Sequence, residues 1–318
     1  MKSHSKWITY TIPTEWNNHS VTDVLKGPLL LSNRMINRLT HMKGLRLNGK
    51  KTWLNKKLKE GDRLQVAVRP HETTELVGEP VPFTTVWEDP DLLIVDKPAG
   101  IQVHPVKKGE TGTLAHGITQ RWQEEGLEAK VRPVHRLDRH TSGLLLVAKS
   151  AYAHQLMDRE LREKRIKRHY LAILSERFDK EVGEKGTIQA PIDREGNHPL
   201  RRCVKDSGER AVTHYQIIAH AADATLVHAE LETGRTHQIR VHFAHLGHPL
   251  YGDTLYYGSK NYIRRQALHA CQLSFTHPLT HEDIAVSTPL PKDLSQLANT
   301  LGLQIPTEFL DKANKAHP

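Results

Sequence analysis

A loop of charged and hydroxyl-bearing residues runs directly into an apolar strand at residues 132–150, RPVHRLDRHTSGLLLVAKS. The apolar run Leu144–Ala148 has the length of a buried strand, so the fold must place it in a core. Polar side chains at the end of such a strand form a natural functional site. The alternative is a turn in which Asp, Ser and Thr side chains bond to the backbone. Composition alone favours the turn, and the choice stays open at this point.

The rest of the chain from residue 83 predicts short strands separated by turns, with few helices between them. This pattern favours an α+β fold over the regular strand–helix alternation of a doubly wound sheet. The predicted helices are Ala115–Glu125 and Tyr152–Lys164. The predicted strands are Leu92–Val95, Leu144–Val147, Tyr170–Leu174, Val212–Ile218, Leu226–Leu231 and Ile239–Phe243.

A second polar segment, residues 232–253 (ETGRTHQIRVHFAHLGHPLYGD), is rich in histidine and arginine. It contains Arg235, His237, Arg240, His242, His245 and His248. Four histidines in twelve residues raise the possibility of a metal site. Their spacing suits neither one strand face nor a His-x3-His helix pair, and no suitably placed Cys or Glu completes a ligand set. We therefore expect no metal here.

Two further segments place a polar residue beside an apolar strand. In KRIKRHYLAIL, residues 164–174, a basic half ends at Tyr170, and a tyrosine in that position is usually a core ring with its hydroxyl bonded at the edge. In EDPDLLIVDKPAGIQVHP, residues 88–105, Lys97 follows the strand in a turn. Lys97 either meets a phosphate or is a surface lysine.

The chain is basic, with a net charge of +9 and a sequence pI near 9.4. The excess is uneven, because residues 1–80 contain 14 Lys and Arg against 7 Asp and Glu. A basic region of this size favours an anionic partner, most often nucleic acid, although simple solubility is the alternative.

The basic region has the pattern of a small folded unit. A helix is predicted near Val21–Leu25, a second begins after the N-cap Ser32, and Asn48-Gly49 and Gly61-Asp62 mark turns before a strand at Arg63–Val68. The pieces SNRMINRLTHMKGLRLNGK and LKEGDRLQV resemble the S4 RNA-binding module over residues 18–69. We expect RNA phosphates to contact its basic side chains, with a solvated helix face as the alternative. The candidates are Arg34, Arg38, Lys43 and Arg46.

Composition divides the chain and indicates where it works. We expect an S4-like domain at 1–75, a linker at 76–82 in a stretch rich in Pro, Glu and Thr, a catalytic domain at 83–295, and a loose helix with a polar tail at 296–318. The N-terminus has no apolar signal segment, and no apolar run approaches the roughly 20 residues of a membrane span. Two cysteines outside any CxxC pair fit a reducing cytosol, so we expect a cytoplasmic protein away from membranes.

Taken together, the four polar segments resemble the RluA-type pseudouridine synthases. HRLDRHTSGLLLVAK matches the signature of that family, and the segments DLLIVDKPAGIQVHP, RHYLAIL, LETGRTHQIRVHFAHLGHPLYGD and RQALHACQLSFTHPLT occur in the order of the family. Arg168 stands where many relatives have lysine, which keeps the charge. The resemblance implies a mixed, mainly antiparallel sheet in the catalytic domain, preceded by the small α+β S4-like domain.

The resemblance also implies the chemistry. Members isomerise uridine in ribosomal or transfer RNA by detaching uracil, rotating it and rejoining it through carbon 5, without cofactor or metal. It implies that Asp138 is catalytic, Tyr170 packs against the target base, Arg240 pairs with the aspartate, and Arg136 helps to flip the base out. We include His237 among the RNA-binding candidates and expect a monomer. The alternatives are a non-catalytic RNA-binding or ribosome-assembly protein and a metal-dependent hydrolase using the histidines.

Overall fold

The computed structural model describes residues 5–107, 109–176, 178, 183–196 and 198–309. A search of these residues found no helix that is long and apolar enough to cross a membrane. The chain forms an N-terminal unit built on a four-stranded sheet, followed by a larger unit built on a ten-stranded sheet.

The N-terminal unit packs two capped helices against its antiparallel sheet, whose strand order is β1-β4-β2-β3. Its elements are β1 (Ile8–Thr11), α1 (Val21–Lys26), α2 (Asn33–His41), β2 (Leu45–Leu47), β3 (Lys50–Lys51) and β4 (Arg63–Val66). Ser20 and Asp23 form a capping box at α1, and the Ser32 side chain accepts a hydrogen bond from the Met35 amide at the start of α2. The predicted cap at Ser32 is therefore confirmed.

The larger unit is a mixed, mainly antiparallel sheet, as the sequence predicted. Its strand order is β10-β13-β14-β9-β15-β8-β6-β5, with β16 beside β15 and β7 beside β8. Its first elements are β5 (Thr84–Glu88), β6 (Leu92–Lys97), α3 (Leu114–Glu124), β7 (Arg132–Pro133), β8 (Ser142–Ala148), α4 (Ala151–Arg162) and β9 (Lys167–Ser175). They are followed by β10 (Lys185–Gln189), β11 (Ile192–Arg194), β12 (Arg202–Val204), β13 (Val212–His220), β14 (Ala224–Leu231), α5 (Gln238–His245), β15 (Leu268–Thr276), β16 (Asp283–Ser287) and α6 (Lys292–Leu301).

Helices cover both faces of the large sheet, so alternate residues of its central strands enter different cores. Leu145 and Val147 of β8 pack with residues of α3 and α5. Leu144 and Leu146 pack on the other face with residues of α4. A strand buried on both faces reads as a continuous apolar run, which is why β8 stands out in the sequence.

The prediction of a strand at Ile239–Phe243 is wrong, because these residues lie in helix α5. The alternation of Ile239, Val241 and Phe243 suggested a strand. However, residues 238–243 are all buried, since the helix packs against the sheet and also against the hairpin of β11 and β12. A helix buried on most of its surface has no polar face to reveal its period.

The domain boundary expected at residue 295 falls inside α6. Leu294, Leu297 and Ala298 are buried against Ile173 and Leu226 of the large sheet. Residues 296–309 therefore belong to the core of the catalytic domain rather than to a loose tail, while residues 310–318 lie outside the described residues. We therefore propose an S4-like domain at 1–75, a linker at 76–82 and a catalytic domain that extends from 83 to 309.

The N-terminal unit is docked on the catalytic unit through α4. Tyr152 and Leu156 are buried in the core of the N-terminal unit. Tyr152 Oη donates to the Leu29 carbonyl at 2.7 Å, and Gln155 Nε2 donates to the Leu30 carbonyl at 2.6 Å. Within the expected linker, Glu79 Oε2 accepts a hydrogen bond from the Gly112 amide at 2.7 Å just before α3. The two units share an apolar contact in addition to a covalent connection.

Candidate active site

The loop that carries Asp138 is fixed at the point where β8 begins. The Gly100 amide donates to the Arg139 carbonyl at 2.8 Å, and Arg139 Nε donates back to the Gly100 carbonyl at 2.9 Å. Gly143 has a φ of 112°, and a Cβ there would lie 2.2 Å from the Ala270 carbonyl oxygen of β15. Only glycine allows the two parallel strands to approach this closely, so the loop geometry depends on Gly143.

Arg240 binds two carboxylates from opposite directions. Its Nη1 donates to Asp138 Oδ2 at 3.0 Å, while Nε and Nη2 donate to the two oxygens of Asp253 at 2.6 and 2.8 Å. Asp138 keeps 26% of its side chain exposed, whereas Asp253 keeps 1%. The two-pronged bond to Asp253 fixes the guanidinium plane, and Asp138 is the carboxylate that solvent or substrate can reach.

The charge on Arg240 is secured by its surroundings. Burial works against the cation, but the hydrogen bonds and charge of Asp253, with those of Asp138, raise the pKa of Arg240 above its usual range. The site therefore places a permanent cation 3.0 Å from the Asp138 carboxylate. Sequence reasoning did not find Asp253. The signal available was its place in the same polar segment, 13 residues after Arg240.

His237 and Tyr256 complete the wall beside Asp138. His237 precedes α5 with a left-handed backbone, and its Nε2 lies 3.9 Å from Asp138 Oδ2. Burial lowers the pKa of His237 and raises the pKa of Tyr256 to about 12, so both are neutral near pH 7. The Tyr256 hydroxyl lies 2.9 Å from His237 Nδ1, and the Arg240 guanidinium carbon lies 5.1 Å from the Tyr256 ring centroid. Sequence reasoning also missed Tyr256.

Tyr170 lies in the core beneath the loop, on β9 of the central sheet. Burial raises its pKa, the Arg168 charge opposes this effect, and the negative charge of Asp138 adds to it. Tyr170 is therefore a neutral ring packed in the core of the catalytic unit.

Two buried basic side chains, Lys97 and Arg265, donate hydrogen bonds to backbone carbonyls of the loop. Lys97 is fully buried and donates to the carbonyls of Pro98, Ile101 and Arg139 at 2.9, 2.9 and 3.2 Å. Burial lowers the pKa of Lys97 to about 7, although Asp138 acts in the opposite direction. Arg265 Nη1 donates to the His140 carbonyl at 3.1 Å. Lys97 is therefore a structural contact of the loop rather than a surface lysine.

The candidate RNA contacts lie in several places. Arg136 is exposed on the loop next to Asp138. Arg34 and Arg38 line a cavity of about 780 Å³ between the two units, together with Lys130 and Arg132 of the catalytic unit. Arg38 Nη2 forms an ion pair there with Glu72 Oε1 at 2.6 Å, so Glu72 offsets part of the positive charge that Arg38 could present to a phosphate.

The other two candidates lie on different parts of the N-terminal unit. Arg46 lies over the Trp7 ring, 4.6 Å from its centroid. Lys43 lines a small cavity with Lys51 and Trp53. The four candidate RNA contacts of the N-terminal unit therefore do not line one common cavity.

Two histidines of the 232–253 segment, His237 and His242, are hydrogen-bonded to other groups of the protein. His242 is buried, with Nδ1 2.9 Å from Thr213 Oγ1 and Nε2 3.0 Å from the Ala190 carbonyl. Within the described ranges, the group with metal-ligand spacing is Asp89, Asp91 and His277. Asp91 is occupied by a two-pronged bond from Arg69, and His277 Nε2 lies 2.9 Å from Asp89 Oδ2. This group belongs to the packing of the two units.

Comparison with known proteins shows the family of the chain. Residues 91–245 match the RNA pseudouridylate synthase family, and residues 8–64 match the N-terminal domain of RluD ribosomal pseudouridine synthase. An uncharacterized RNA pseudouridine synthase of Bacillus subtilis, YhcT, is 42% identical over 94% of this chain and 99% of its own length. The ribosomal large subunit pseudouridine synthase D of Xanthomonas campestris is 37% identical over 77% of each chain.

A solved structure gives the same result. Human RNA pseudouridylate synthase domain containing 1 superposes with a TM-score of 0.55 at 27% identity, covering 71% of this chain and 96% of that one. The N-terminal match, the relatives and the shared fold all indicate an RNA pseudouridine synthase. The chain belongs to the RluA/RluD type of RNA pseudouridine synthases, isomerases that convert uridine in RNA to pseudouridine.

Proposed function

We propose that this enzyme isomerises uridines of large-subunit ribosomal RNA and that Asp138 is its catalytic carboxylate. The observation that carries the proposal is the Arg240 guanidinium, which holds a partly exposed Asp138 on one side and a buried Asp253 on the other. A fixed carboxylate that is open to substrate is the group this isomerisation requires.

The reaction is balanced without any co-reactant. The N1–C1′ bond of uridine breaks, uracil rotates, a C5–C1′ bond forms, and the proton lost from C5 is matched by one gained at N1. Asp138 acts near C1′, either as a nucleophile or by taking a proton. Either route uses the carboxylate oxygens, which Arg240 orients through its hydrogen bond to Oδ2.

The neighbouring residues have distinct proposed roles. Tyr170, as a neutral ring, packs against the target base, and Arg136 on the exposed loop enters the RNA where the base leaves its stack. His237 contacts the RNA at the rim. Asp253 is a positioning residue, because it orients Arg240 without being open to substrate.

The substrate class is proposed from the relatives together with the charge. Relatives that are 37–39% identical are named ribosomal large subunit pseudouridine synthases. Basic side chains on both units line the cavity between them, which suits phosphates of a structured RNA. The candidate contacts Arg34, Arg38, Lys43 and Arg46 belong to this proposal. We further propose a monomer acting in the cytoplasm, where ribosomal RNA and reduced cysteines coexist.

The test is pseudouridine mapping of cellular RNA from cells that contain the wild-type protein, no protein, or Asp138→Asn. We expect specific positions in large-subunit RNA to be lost in both mutant strains, while purified Asp138→Asn binds that RNA within a few fold of wild type. Asp206→Asn, a change at an exposed loop residue, is the matched control and should restore every position.

Two outcomes would contradict the proposal. Positions lost only from transfer RNA would overturn the ribosomal substrate. Full modification by Asp138→Asn would overturn the catalytic role and revive the alternative of a protein that only binds RNA at this site.

A further inference from the structure

Tyr257 is an aromatic residue in a backbone conformation that favours glycine. Its φ is 69°, in the left-handed region, and 78% of the residue is exposed. A bulky side chain with positive φ is strained, and an exposed ring recovers little of that cost by burial. Such strain is often found at functional sites, where the surrounding structure holds the residue in place.

The turn that holds Tyr257 also builds the active site. The turn runs from Asp253, which orients Arg240, through Tyr256, which bonds to His237, to Tyr257. The Gly258 amide donates to the Asp253 carbonyl at 2.9 Å, and a Cβ on Gly258 would lie 1.9 Å from the Leu250 carbonyl oxygen. The turn is therefore locked, and it presents Tyr257 immediately beside the active-site wall.

Arg201 fixes the orientation of the exposed ring. Arg201 Nη1 donates to Tyr257 Oη at 2.9 Å, and its guanidinium carbon lies 4.9 Å from the ring centroid. The guanidinium covers one part of the ring, and most of the ring surface faces solvent. A fixed ring with a cation at its edge resembles the sites on which unpaired nucleobases stack, since every base offers a π-face and every nucleotide a phosphate.

We propose that Tyr257 is a stacking platform for a nucleobase adjacent to the target uridine. The proposal rests on the proposed function, because the base belongs to the RNA whose uridine reaches Asp138. When the target uridine leaves the stack, its neighbour loses a stacking partner, and Tyr257 replaces that partner. Beyond the ring, Lys260 and Arg264 are exposed and suit the phosphates that follow.

The experiment is a cycle between protein and RNA variants, with full-length protein throughout. The probe is a hairpin RNA that contains a uridine mapped as above, either intact or with one abasic nucleotide on its 5′ or 3′ side. Binding is measured in the Asp138→Asn background, so that turnover does not interfere. The protein variants are Tyr257→Gly, which also relieves the positive φ, Tyr257→Phe, which keeps the ring, and Tyr262→Gly as a matched exposed tyrosine.

We expect Tyr257→Gly to weaken binding of the intact hairpin by roughly 5- to 150-fold, the range for loss of one stacked base. Tyr257→Phe should lie close to the unsubstituted protein, and Tyr262→Gly should have little effect. An abasic nucleotide at one of the two flanking positions should weaken binding by the protein that keeps Tyr257 to a similar extent. The same abasic nucleotide should hardly weaken binding by Tyr257→Gly any further. In the active enzyme, the Tyr257→Gly change should raise KM more than it lowers kcat.

The inference would be overturned if, at both flanking positions, the binding lost through the abasic nucleotide simply added to the binding lost through Tyr257→Gly. It would also be overturned if Tyr257→Gly bound the intact hairpin as tightly as the protein that keeps Tyr257. These results differ from failure of the proposed function, in which the wild-type enzyme forms no pseudouridine in the hairpin.

Discussion

At the scale of single residues, the site depends on how Arg240 divides its bonds. Arg240 donates two hydrogen bonds to the buried Asp253 and one to the partly exposed Asp138. A buried charge left without its partner costs more than an exposed one, because solvent cannot replace the lost interaction. Stability should therefore depend on the Asp253 pair, and activity on the Asp138 pair.

This division predicts different results for Arg240→Lys and Arg240→Ala. Lysine keeps the charge but not the planar geometry, so it should retain some activity, whereas alanine should lose far more. Arg240→Ala should also lower the free energy of unfolding by about 3–5 kcal/mol, because it leaves Asp253 unpaired. Chemical denaturation measures this loss.

Double-mutant cycles separate the two carboxylates. The stability deficit of Arg240→Ala should shrink strongly in combination with Asp253→Asn and less in combination with Asp138→Asn. Simple additivity with Asp253→Asn would show that the two-pronged bond does not hold Arg240 in solution.

At the scale of secondary-structure elements, the parallel contact of β8 and β15 supports the catalytic loop. Ser142, the first residue of β8, is in register with His269 of β15, and Ser142 Oγ lies 3.0 Å from His269 Nδ1. His269 is buried, and burial lowers its pKa to about 4. The folded protein therefore keeps this ring neutral, and the start of β8 is sensitive to acid.

The pH dependence follows from the sign of this shift. Between the unfolded pKa of about 6.5 and the folded value of about 4, the unfolded chain binds more protons at His269. The contribution to stability is complete above pH 6.5 and falls as the pH is lowered toward 4, by at most about 1.4 kcal/mol per pH unit. Denaturation of His269→Gln should show a shallower fall in this window than wild type. His41→Gln, at an exposed position, should show the wild-type slope, and equal slopes for all three would refute the assignment.

At the scale of the whole molecule, the N-terminal unit is part of one folded body. Because Tyr152 and Leu156 are buried in its core, deleting residues 1–75 would expose apolar surface of α4. The effect of the basic region on RNA binding is therefore better measured in the full-length chain.

We expect the variant Arg34→Gln/Lys43→Gln/Arg46→Gln to bind RNA less tightly and with a shallower salt dependence. Each phosphate contact that is lost should reduce the slope of log Kd against log salt by roughly 0.7–0.9. The same substitution at Lys185, which is exposed on β10 of the large sheet, is the control. An unchanged slope in the triple variant would show that these side chains do not meet phosphates.

The sequence by itself determined features that depend on neighbouring residues. The caps at Ser20 and Ser32, the turn at Asn48-Gly49 and the apolar strand β8 are each specified within a few positions. The loop with Asp138 was recognised through its resemblance to a contiguous family signature, whereas composition alone favoured a turn. The local sequence also marked the polar segment that contains Arg240, although it predicted a strand where the structure has helix α5.

Only the tertiary structure decided the partners and the class of α5. Asp138 and Arg240 are 102 residues apart, and their contact exists because the loop before β8 meets the first turn of α5 in the folded chain. Asp253 and Tyr256 became part of the site because one turn places them against Arg240. Helix α5 could not be distinguished from a strand, since burial on most of its surface removes the polar positions that reveal a period. Local patterns record what neighbours along the chain impose, whereas a site and its pKa values depend on groups that only packing brings together.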